Sequence, residues 1–322
     1  MEKFPIIIVP DDAPHATEAM GTKQKFWYIQ KDWGPCLFKM PRGNTGEDWA
    51  EKVASELCRP LGLPHAHYEL ATWRDRNGTV SPRFLSGNEE LIHGNEILRE
   101  LYPDYPNSTS SHRNFYKVSE HTLDAVMKIM VQMPIKMPII TTDPGWKAPD
   151  GIFIALDIFV GYLLLDAWIG NTDRHHENWA IALAHNVSTP PNTNELRLSP
   201  TFDHASSLGR ELDDEKRKER LTTKDTGFSI RAYVEKSASA FYDKVGDKKP
   251  LTTFDAFYKA ACQRPQAAKI WLKHLADISL ESIKLLFNRV PEDRITPEAV
   301  KFALEMLKIN QNRLLDLQEK LP

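Results

Sequence analysis

The stretch from Leu163 to Leu208 constrains this chain more than any other, because it joins an apolar helix to a loop crowded with polar side chains. The apolar run from Gly151 to Ile169 has the length of a helix, and it meets Gly170, a residue that favours a helix stop. The loop that follows, residues 171–178, reads Asn-Thr-Asp-Arg-His-His-Glu-Asn. Such a loop directly after a buried helix predicts a site for polar chemistry.

Three oxygen-bearing side chains stand in a set order around this loop. Asp173 and Asn178 are five residues apart. Strand-like segments at 179–184 and 195–199 then predict a hairpin, and Asp203 follows its exit. Carboxylate and amide oxygens suit Mg²⁺, and an Asp beside a hydroxyl can accept its proton. Protein kinases use this order of residues, so it predicts phosphoryl transfer from ATP. The simpler interpretation is a polar turn in which Asp173 and Asn178 bond the local backbone.

The same stretch resembles the C-terminal catalytic region of HipA-like serine/threonine kinases. The matching residues are NTDRHHENWAIAL and LSPTFDHASSLG, which carry that family's Asp-x-His-x-x-Asn and Pro-x-x-Asp patterns. The resemblance implies that Asp173 is the catalytic base, that Asn178 is a Mg²⁺ ligand, and that Asp203 is the metal-binding Asp. Asp-Arg-His-x-x-Asn also occurs in phosphatidylinositol 3- and 4-kinases, so the motif leaves a lipid acceptor open.

Length, charge and cysteine usage narrow the class of protein. With 322 residues the chain can bury a large core, and a net charge of -3 argues against a general nucleic-acid or membrane-surface binder. Three widely spaced cysteines indicate a reduced, cytoplasmic setting. The apolar run at the N-terminus is too short for a signal peptide. A secreted effector is the alternative to a cytoplasmic protein. Asp157 and Asp166 interrupt the run 152–169, which predicts a buried helix and no transmembrane segment.

A phosphate-binding loop is expected at residues 21–25. A glycine there lets backbone amides approach a phosphate, although the bare pattern alone favours an ordinary turn. The HipA-like phosphate loop has a Gly followed four residues later by a Lys, and Gly21 and Lys25 keep that spacing. That family often carries autophosphorylated Ser residues just before the Gly. This chain has Glu-Ala-Met at 18–20 instead, and Thr22 is the nearest hydroxyl.

Lys39 lies inside a strand-like segment, 36–41. On the kinase interpretation its ammonium contacts the α- and β-phosphates of ATP, whereas a lone strand Lys is usually solvated. HipA-like kinases have a Glu eleven residues before a Gly-Leu pair, and Glu51 stands at that distance from Gly62. The resemblance therefore implies that Glu51 fixes Lys39, with Glu56 as the alternative partner.

A helix is predicted between Asn44 and Gly62. Apolar residues from Trp49 to Leu61 recur at i, i+3 and i+4, which gives one packed face. Asn44 or Thr45 can cap its start, and Gly62 marks its end.

The small lobe is expected to end with a hairpin and a hinge. Strand-like segments at 67–73 and 79–85 flank residues 74–78, whose last two, Asn and Gly, are a strong hairpin signal. Pro82 demotes the second strand to an edge or shortens it. The hinge, whose backbone groups would bond adenine, is placed at 86–91.

Several remaining features keep two interpretations. His175 either contributes to the nucleotide site by bracing the loop backbone or is a bystander, and Arg174 meets a phosphate or a carboxylate. The charged run 210–220 predicts a solvated helix or mobile loop, placed where a protein substrate would dock on the kinase interpretation. Segments 280–288 and 296–317 are amphipathic and predict packing helices.

Together these features predict an α+β chain with a bilobal protein-kinase-like fold, a small β-rich N-lobe over 1–91 and a larger helical C-lobe over 92–322. The expected activity is an ATP- and Mg²⁺-dependent serine/threonine protein kinase whose acceptor is a protein hydroxyl. The resemblance implies a toxin–antitoxin or bacterial effector role, with an antitoxin-like regulator as partner. A phosphatidylinositol-kinase-like lipid kinase and a nucleotide-binding pseudokinase that serves as an interaction module are the alternatives.

Overall fold

The computed structural model describes residues 1–13, 16–17, 24–43, 45–87, 89–106, 118–185 and 194–322. The N-terminal quarter of the chain builds a six-stranded sheet with one helix inserted after its fourth strand. Its elements are β1 (Ile6–Ile8), β2 (Ala16–Thr17), β3 (Lys25–Gln30), β4 (Gly34–Lys39), α1 (Glu47–Leu61), β5 (Glu69–Trp73) and β6 (Arg76–Pro82). The strand order is β1-β5-β6-β4-β3-β2, and β1 runs parallel to β5 while the other pairs are antiparallel.

The rest of the chain forms a small second sheet and a layer of helices. The strands are β7 (Glu89–His93), β8 (Ile135–Lys136), β9 (Ala180–Ala184) and β10 (Glu195–Leu198), in the order β7-β9-β10-β8. The helices are α2 (Gly94–Leu101), α3 (Leu123–Gln132), α4 (Ala155–Ile169), α5 (Asp214–Thr222), α6 (Ile230–Glu235), α7 (Thr253–Gln263), α8 (Pro265–Ala276), α9 (Leu280–Phe287) and α10 (Pro297–Leu315). The predicted α+β fold with a β-rich first lobe and a helical second lobe is confirmed.

Helix α4 is the centre of the larger lobe. All fifteen of its residues are buried, as expected for a helix that is apolar on every side. Its two carboxylates have partners: Asp157 accepts hydrogen bonds from Arg264 at 2.7 and 2.9 Å, and Asp166 accepts from Arg174 at 2.7 Å. Within the described part of the chain, no helix has both the length and the apolar character needed to cross a bilayer.

Helix α1 belongs to the first lobe by sequence but shares the core of the second. Its apolar face, which includes Val53 and Leu57, lies in the same buried cluster as α4. The helix ends at Gly62, whose φ of 76° is the left-handed conformation that glycine adopts without a steric penalty. The predicted side-chain cap is wrong for Thr45: Gly46 is the N-cap residue, and the Thr45 hydroxyl donates to the Arg42 carbonyl at 2.8 Å. Asn44, the other predicted cap, lies outside the described residues.

The predicted hairpin forms, but its turn lies three residues earlier than the Asn-Gly pair. Trp73 pairs with Arg76, so Arg74 and Asp75 form the two-residue turn, with φ of 49° and 58°. The Asn-Gly pair lies within β6 instead. A Cβ atom on Gly78 would come within 2.6 Å of the Lys39 carbonyl oxygen, so this glycine is required by close packing against β4.

The first sheet ends at Pro82 and the second sheet begins at Glu89, so the chain passes from one sheet to the other between these residues. Strand β6 ends at Pro82, so the proline shortens a central strand and does not mark an edge. Strand β7 pairs with β9 of the second sheet, and the division after residue 91 therefore falls inside β7.

Candidate active site

A cleft of about 870 Å³ lies between the two sheets and gathers most of the sequence-predicted site residues. Both lobes line it: β3 and β4 contribute Lys25 and Lys39, and the second lobe contributes Asp173, Asn178 and Asp203. Sequence reasoning missed the apolar and aromatic lining, which includes Leu37, Tyr68, Pro82, Phe84, Leu91 and Phe202. We refer to the surface around the stacked rings of Phe84 and Phe202 as the apolar region of the cleft, and to the surface around Lys39 and Asp203 as its charged region.

The loop after α4 is shaped by its own Asn side chains. Gly170 has a φ of 63°, which turns the chain out of the helix. The Asp173 N–H donates to Asn171 Oδ1 at 3.2 Å, and the Asp173 carbonyl accepts from Asn178 Nδ2 at 2.6 Å. Because the Asn178 amide uses its nitrogen in this bond, Oδ1 is the atom that can serve a cation. The Asp173 carboxylate stays accessible, with 37% of its side chain exposed.

Asp203 lies opposite Lys39 in the charged region of the cleft. Its φ of 57° places a non-glycine residue in the left-handed region, a strain found most often at functional sites. Its N–H donates to the Tyr68 hydroxyl at 3.3 Å, and its Oδ2 lies 3.4 Å from Lys39 Nζ. Burial alone would lower the pKa of Lys39, but the charge of Asp203, and then Tyr68 and Glu51, outweighs it, so the pKa is raised. Lys39 therefore stays a cation.

The predicted ion pair between Lys39 and Glu51 is wrong in its partner. Glu51 Oε1 accepts the backbone N–H of His204 at 2.7 Å and lies 3.3 Å from His204 Nδ1. Lys39 pairs with Asp203 instead, because that carboxylate lies nearer. Glu56, the alternative partner, contacts Lys52 at 2.6 Å. Glu51 therefore holds the segment that carries Asp203 and influences Lys39 through its charge only.

Arg174 meets a carboxylate, the second of its two sequence interpretations. Its guanidinium makes two hydrogen bonds of 2.7 Å to Asp166 and one of 2.9 Å to the Asn178 carbonyl. Both charged side chains are buried. Arg174 thus ties the far end of the loop to α4. Sequence reasoning missed Asp166 as its partner, although a carboxylate inside an apolar helix was a signal.

His175 braces the loop and also lines the cleft. Its Nδ1 accepts the Glu177 N–H at 3.1 Å, which places the ring proton on Nε2, 3.8 Å from Asp173 Oδ1. Burial, opposed by the charge of Asp203, lowers the pKa of His175 to about 4. The ring is therefore neutral at physiological pH.

The remaining predicted residues are those of the phosphate loop. Lys25 lines the cleft, and its charge acts on Glu177, whose pKa burial raises. Gly21 and Thr22 lie outside the described residues, so their predicted roles stay predictions.

The comparisons with known proteins establish the fold. No protein-family model matches the chain, and no curated protein gives a significant match. Among solved structures, the chain is similar to the proinflammatory kinase CtkA of Helicobacter pylori, with a TM-score of 0.73, 18% identity and 98% coverage of both chains. It is also similar to HipA in a complex of HipA, HipB and operator DNA from Shewanella oneidensis, with a TM-score of 0.54, 10% identity, and coverage of 96% of this chain and 68% of that one. The resemblance to HipA-like kinases is confirmed at the level of fold.

Proposed function

We propose that this chain is an ATP- and Mg²⁺-dependent phosphotransferase that transfers the γ-phosphoryl group to a serine or threonine hydroxyl of a protein. One observation carries the proposal: Lys39 of the first lobe, Asp203, and the loop residues Asp173 and Asn178 come from three separate stretches of sequence and face a single cleft between the two lobes. Phosphoryl transfer needs little more from a protein than positioned charges of these types.

The residues of the cleft fit a nucleotide and its metal ion. The apolar region, in which Phe84 and Phe202 stack with centroids 5.9 Å apart, suits a purine base. Lys39 and Lys25 provide cations for phosphate oxygens. Asp203 and Asn178 provide the carboxylate and amide oxygens that Mg²⁺ takes alongside phosphates. When bound, Mg²⁺ would neutralise charge that develops on the transferred group.

Asp173 is suited to receive the proton of the acceptor. Its carboxylate is partly exposed, and in this structure it already accepts a hydrogen bond from a hydroxyl, that of Ser206, at 3.2 Å. An acceptor hydroxyl at the same carboxylate would be oriented and would pass its proton to Asp173 as its oxygen attacks the γ-phosphorus, while the bond from that phosphorus to the β-phosphate oxygen breaks and ADP leaves.

The surface beyond Asp203 bears on the class of acceptor. Helix α5 carries mixed charges over 214–222, whereas a lipid kinase calls for a basic surface against the membrane. We therefore favour a protein acceptor over a phosphoinositide. The HipA structure is that of a toxin–antitoxin system and contains HipB, so we include an antitoxin-like regulator in the proposal. CtkA is a proinflammatory kinase, so a bacterial effector role is the other biological role that we propose for the same activity.

The proposal is tested by following labelled γ-phosphate into cell-lysate protein and into phosphatidylinositol vesicles, with Mg²⁺ or with EDTA. We expect Mg²⁺-dependent label on protein Ser or Thr, reduced about 100-fold or more in Asp203→Asn. The control is Asp277→Asn, an exposed carboxylate between α8 and α9. Label in the lipid would support the lipid-kinase alternative, nucleotide binding without transfer would support the pseudokinase, and absence of nucleotide binding would contradict both this proposal and the pseudokinase.

A further inference from the structure

One ion pair and two hydrogen bonds, made by side chains outside the cleft lining, connect the first turn of α1 to Asp173. Arg210 Nη2 lies 3.2 Å from Glu47 Oε1 and donates to Ser206 Oγ at 3.3 Å. Ser206 Oγ in turn donates to Asp173 Oδ2 at 3.2 Å. We refer to Glu47, Arg210 and Ser206 as the Arg210 network.

The chemistry of these groups fixes the direction of the Ser206 hydroxyl. A guanidinium can only donate hydrogen bonds and a carboxylate can only accept them. The hydroxyl between them must therefore accept from Arg210 and donate to Asp173. Ser206 is also held through its main chain, because its carbonyl accepts the N–H of Thr172 at 3.1 Å. One oxygen of Asp173 thus has a donor whose position depends on Arg210.

Arg210 itself is held on several sides and is largely shielded from water. Its side chain is 14% exposed and that of Glu47 is 3% exposed, so their attraction is screened less than that of a surface ion pair. The Arg210 carbonyl accepts the N–H of Gly46 at 3.3 Å and a guanidinium bond from Arg217, also at 3.3 Å. The position of Arg210 therefore depends on the start of α1 and on α5.

A second contact joins α1 to the same segment one helical turn further on. Glu51 accepts the backbone N–H of His204 at 2.7 Å, directly after Asp203. Glu47 and Glu51 are four residues apart on a helix, so they share one face. That face meets the segment 203–210 twice, once beside Asp203 and once through Arg210 toward Asp173.

We propose that the Arg210 network consists of positioning residues that orient Asp173 and make phosphoryl transfer depend on the docking of α1 against residues 203–210. This inference rests on the proposed function. None of the three network side chains is among those that line the described cleft. Their loss is therefore expected to reduce kcat and to leave KM for ATP close to that of the wild type.

The test compares Arg210→Gln, Ser206→Ala and Ser206→Thr with the wild type. A misplaced catalytic group of this kind costs about 10-fold to 100-fold in rate, so we expect kcat to fall about 10-fold in Arg210→Gln and Ser206→Ala, with KM for ATP changed less than about twofold. Ser206→Thr keeps the hydroxyl and is expected to restore most of kcat. Adding Glu47→Gln to Arg210→Gln is expected to cost little more, because the ion pair is already lost and Gln can still accept the backbone N–H of Arg42. The matched control is Arg231→Gln, which removes an exposed guanidinium paired within α6.

A readout independent of activity separates the two proposals. Hydrogen exchange of the amides of 171–178 is expected to speed up in Arg210→Gln and not in Arg231→Gln. If kcat and loop exchange are both unchanged in Arg210→Gln and Ser206→Ala, the positioning role is overturned while the proposed function stands. If the wild type transfers no phosphate, the proposed function fails, and the exchange data alone then support or overturn the link between α1 and the loop.

Discussion

At the scale of single residues, the buried ion pair of Arg174 and Asp166 holds the shape of the loop 171–178. The pair is almost fully shielded, with side-chain exposures of 1% and 5%. Removing two charges from water is costly, and the bidentate geometry repays this only while both partners are present. The pair also has a structural effect, because the same guanidinium donates to the Asn178 carbonyl and so positions the far end of the loop.

We expect Arg174→Gln to lower the apparent free energy of unfolding by about 3 kcal/mol, because Asp166 would be left as a buried charge with little compensation. Urea unfolding followed by circular dichroism measures the change. Arg231→Gln, an exposed control, should stay within about 0.5 kcal/mol of the wild type. Adding Asp166→Asn to Arg174→Gln should recover part of the loss. A loss below about 1 kcal/mol in the single variant would show that the pair does not hold the loop.

Packing also fixes the protonation state of His121. Its Nδ1 lies 2.9 Å from the Ala240 carbonyl, and its Nε2 accepts the indole N–H of Trp179 at 3.1 Å. Nδ1 must therefore carry the proton, and protonating Nε2 would set it against the Trp179 donor. Burial, opposed by the bond to Ala240, lowers the pKa of His121 to about 3.

The free energy of unfolding is therefore expected to fall as the pH drops below about 6.5. In that range His121 is protonated in the unfolded chain, whereas in the folded protein it stays neutral down to about pH 3. Between about pH 7.5 and about pH 5, this single group costs up to about 2 kcal/mol. His121→Gln keeps one donor and one acceptor without titrating, so its loss over that range should be smaller by about 1–2 kcal/mol. Urea unfolding at the two pH values measures both proteins, and equal losses would contradict the assignment.

At the scale of elements, the β5–β6 hairpin shows that packing can override turn chemistry. Asn-Gly is a strong local turn signal, yet Gly78 is needed where β6 passes the backbone and the Phe38 ring of β4. The turn then falls on Arg74 and Asp75, which accept positive φ values. This hairpin borders Lys39, so its register helps to set the Lys39 strand.

We expect Gly78→Ala to destabilise the protein by about 1–3 kcal/mol, because the added methyl would lie 2.6 Å from the Lys39 carbonyl oxygen and the Phe38 ring. Gly87→Ala is the control, since its Cβ would meet nothing within 4 Å. Thermal unfolding of both variants gives the comparison. Equal melting temperatures for the two would show that β6 does not need a glycine at this position.

At the scale of the whole molecule, the features that could be predicted from the sequence are those that a short stretch of residues determines. The order Asp173, Asn178 and Asp203, the stop at Gly170 and the apolar α4 are each visible in a short stretch of chain. The partners of Glu51 and Arg174 were not predicted. Glu51 meets His204 only because the two lobes pack together, and Arg174 meets Asp166 because the loop folds back onto α4. The Arg210 network likewise joins α1 to a segment more than a hundred residues away.

The two lobes meet through charged groups as well as through the apolar core. Lys39 of the first lobe faces Asp203 of the second at 3.4 Å, and Glu51 bonds His204 beside it. A molecule built this way couples the geometry of its cleft to the docking of α1.

The central claim is that this cleft binds MgATP and that Asp173 takes part in transfer but not in binding.

That claim is tested most directly by measuring MgATP affinity and single-turnover transfer of labelled γ-phosphate in the wild type and in Asp173→Asn. We expect the two proteins to bind MgATP with dissociation constants within about threefold of each other, because Asn keeps the shape of the side chain. Transfer should fall by about 100-fold or more, since a positioned base contributes about 10²–10⁴-fold. Wild-type rates of transfer in Asp173→Asn would contradict the account.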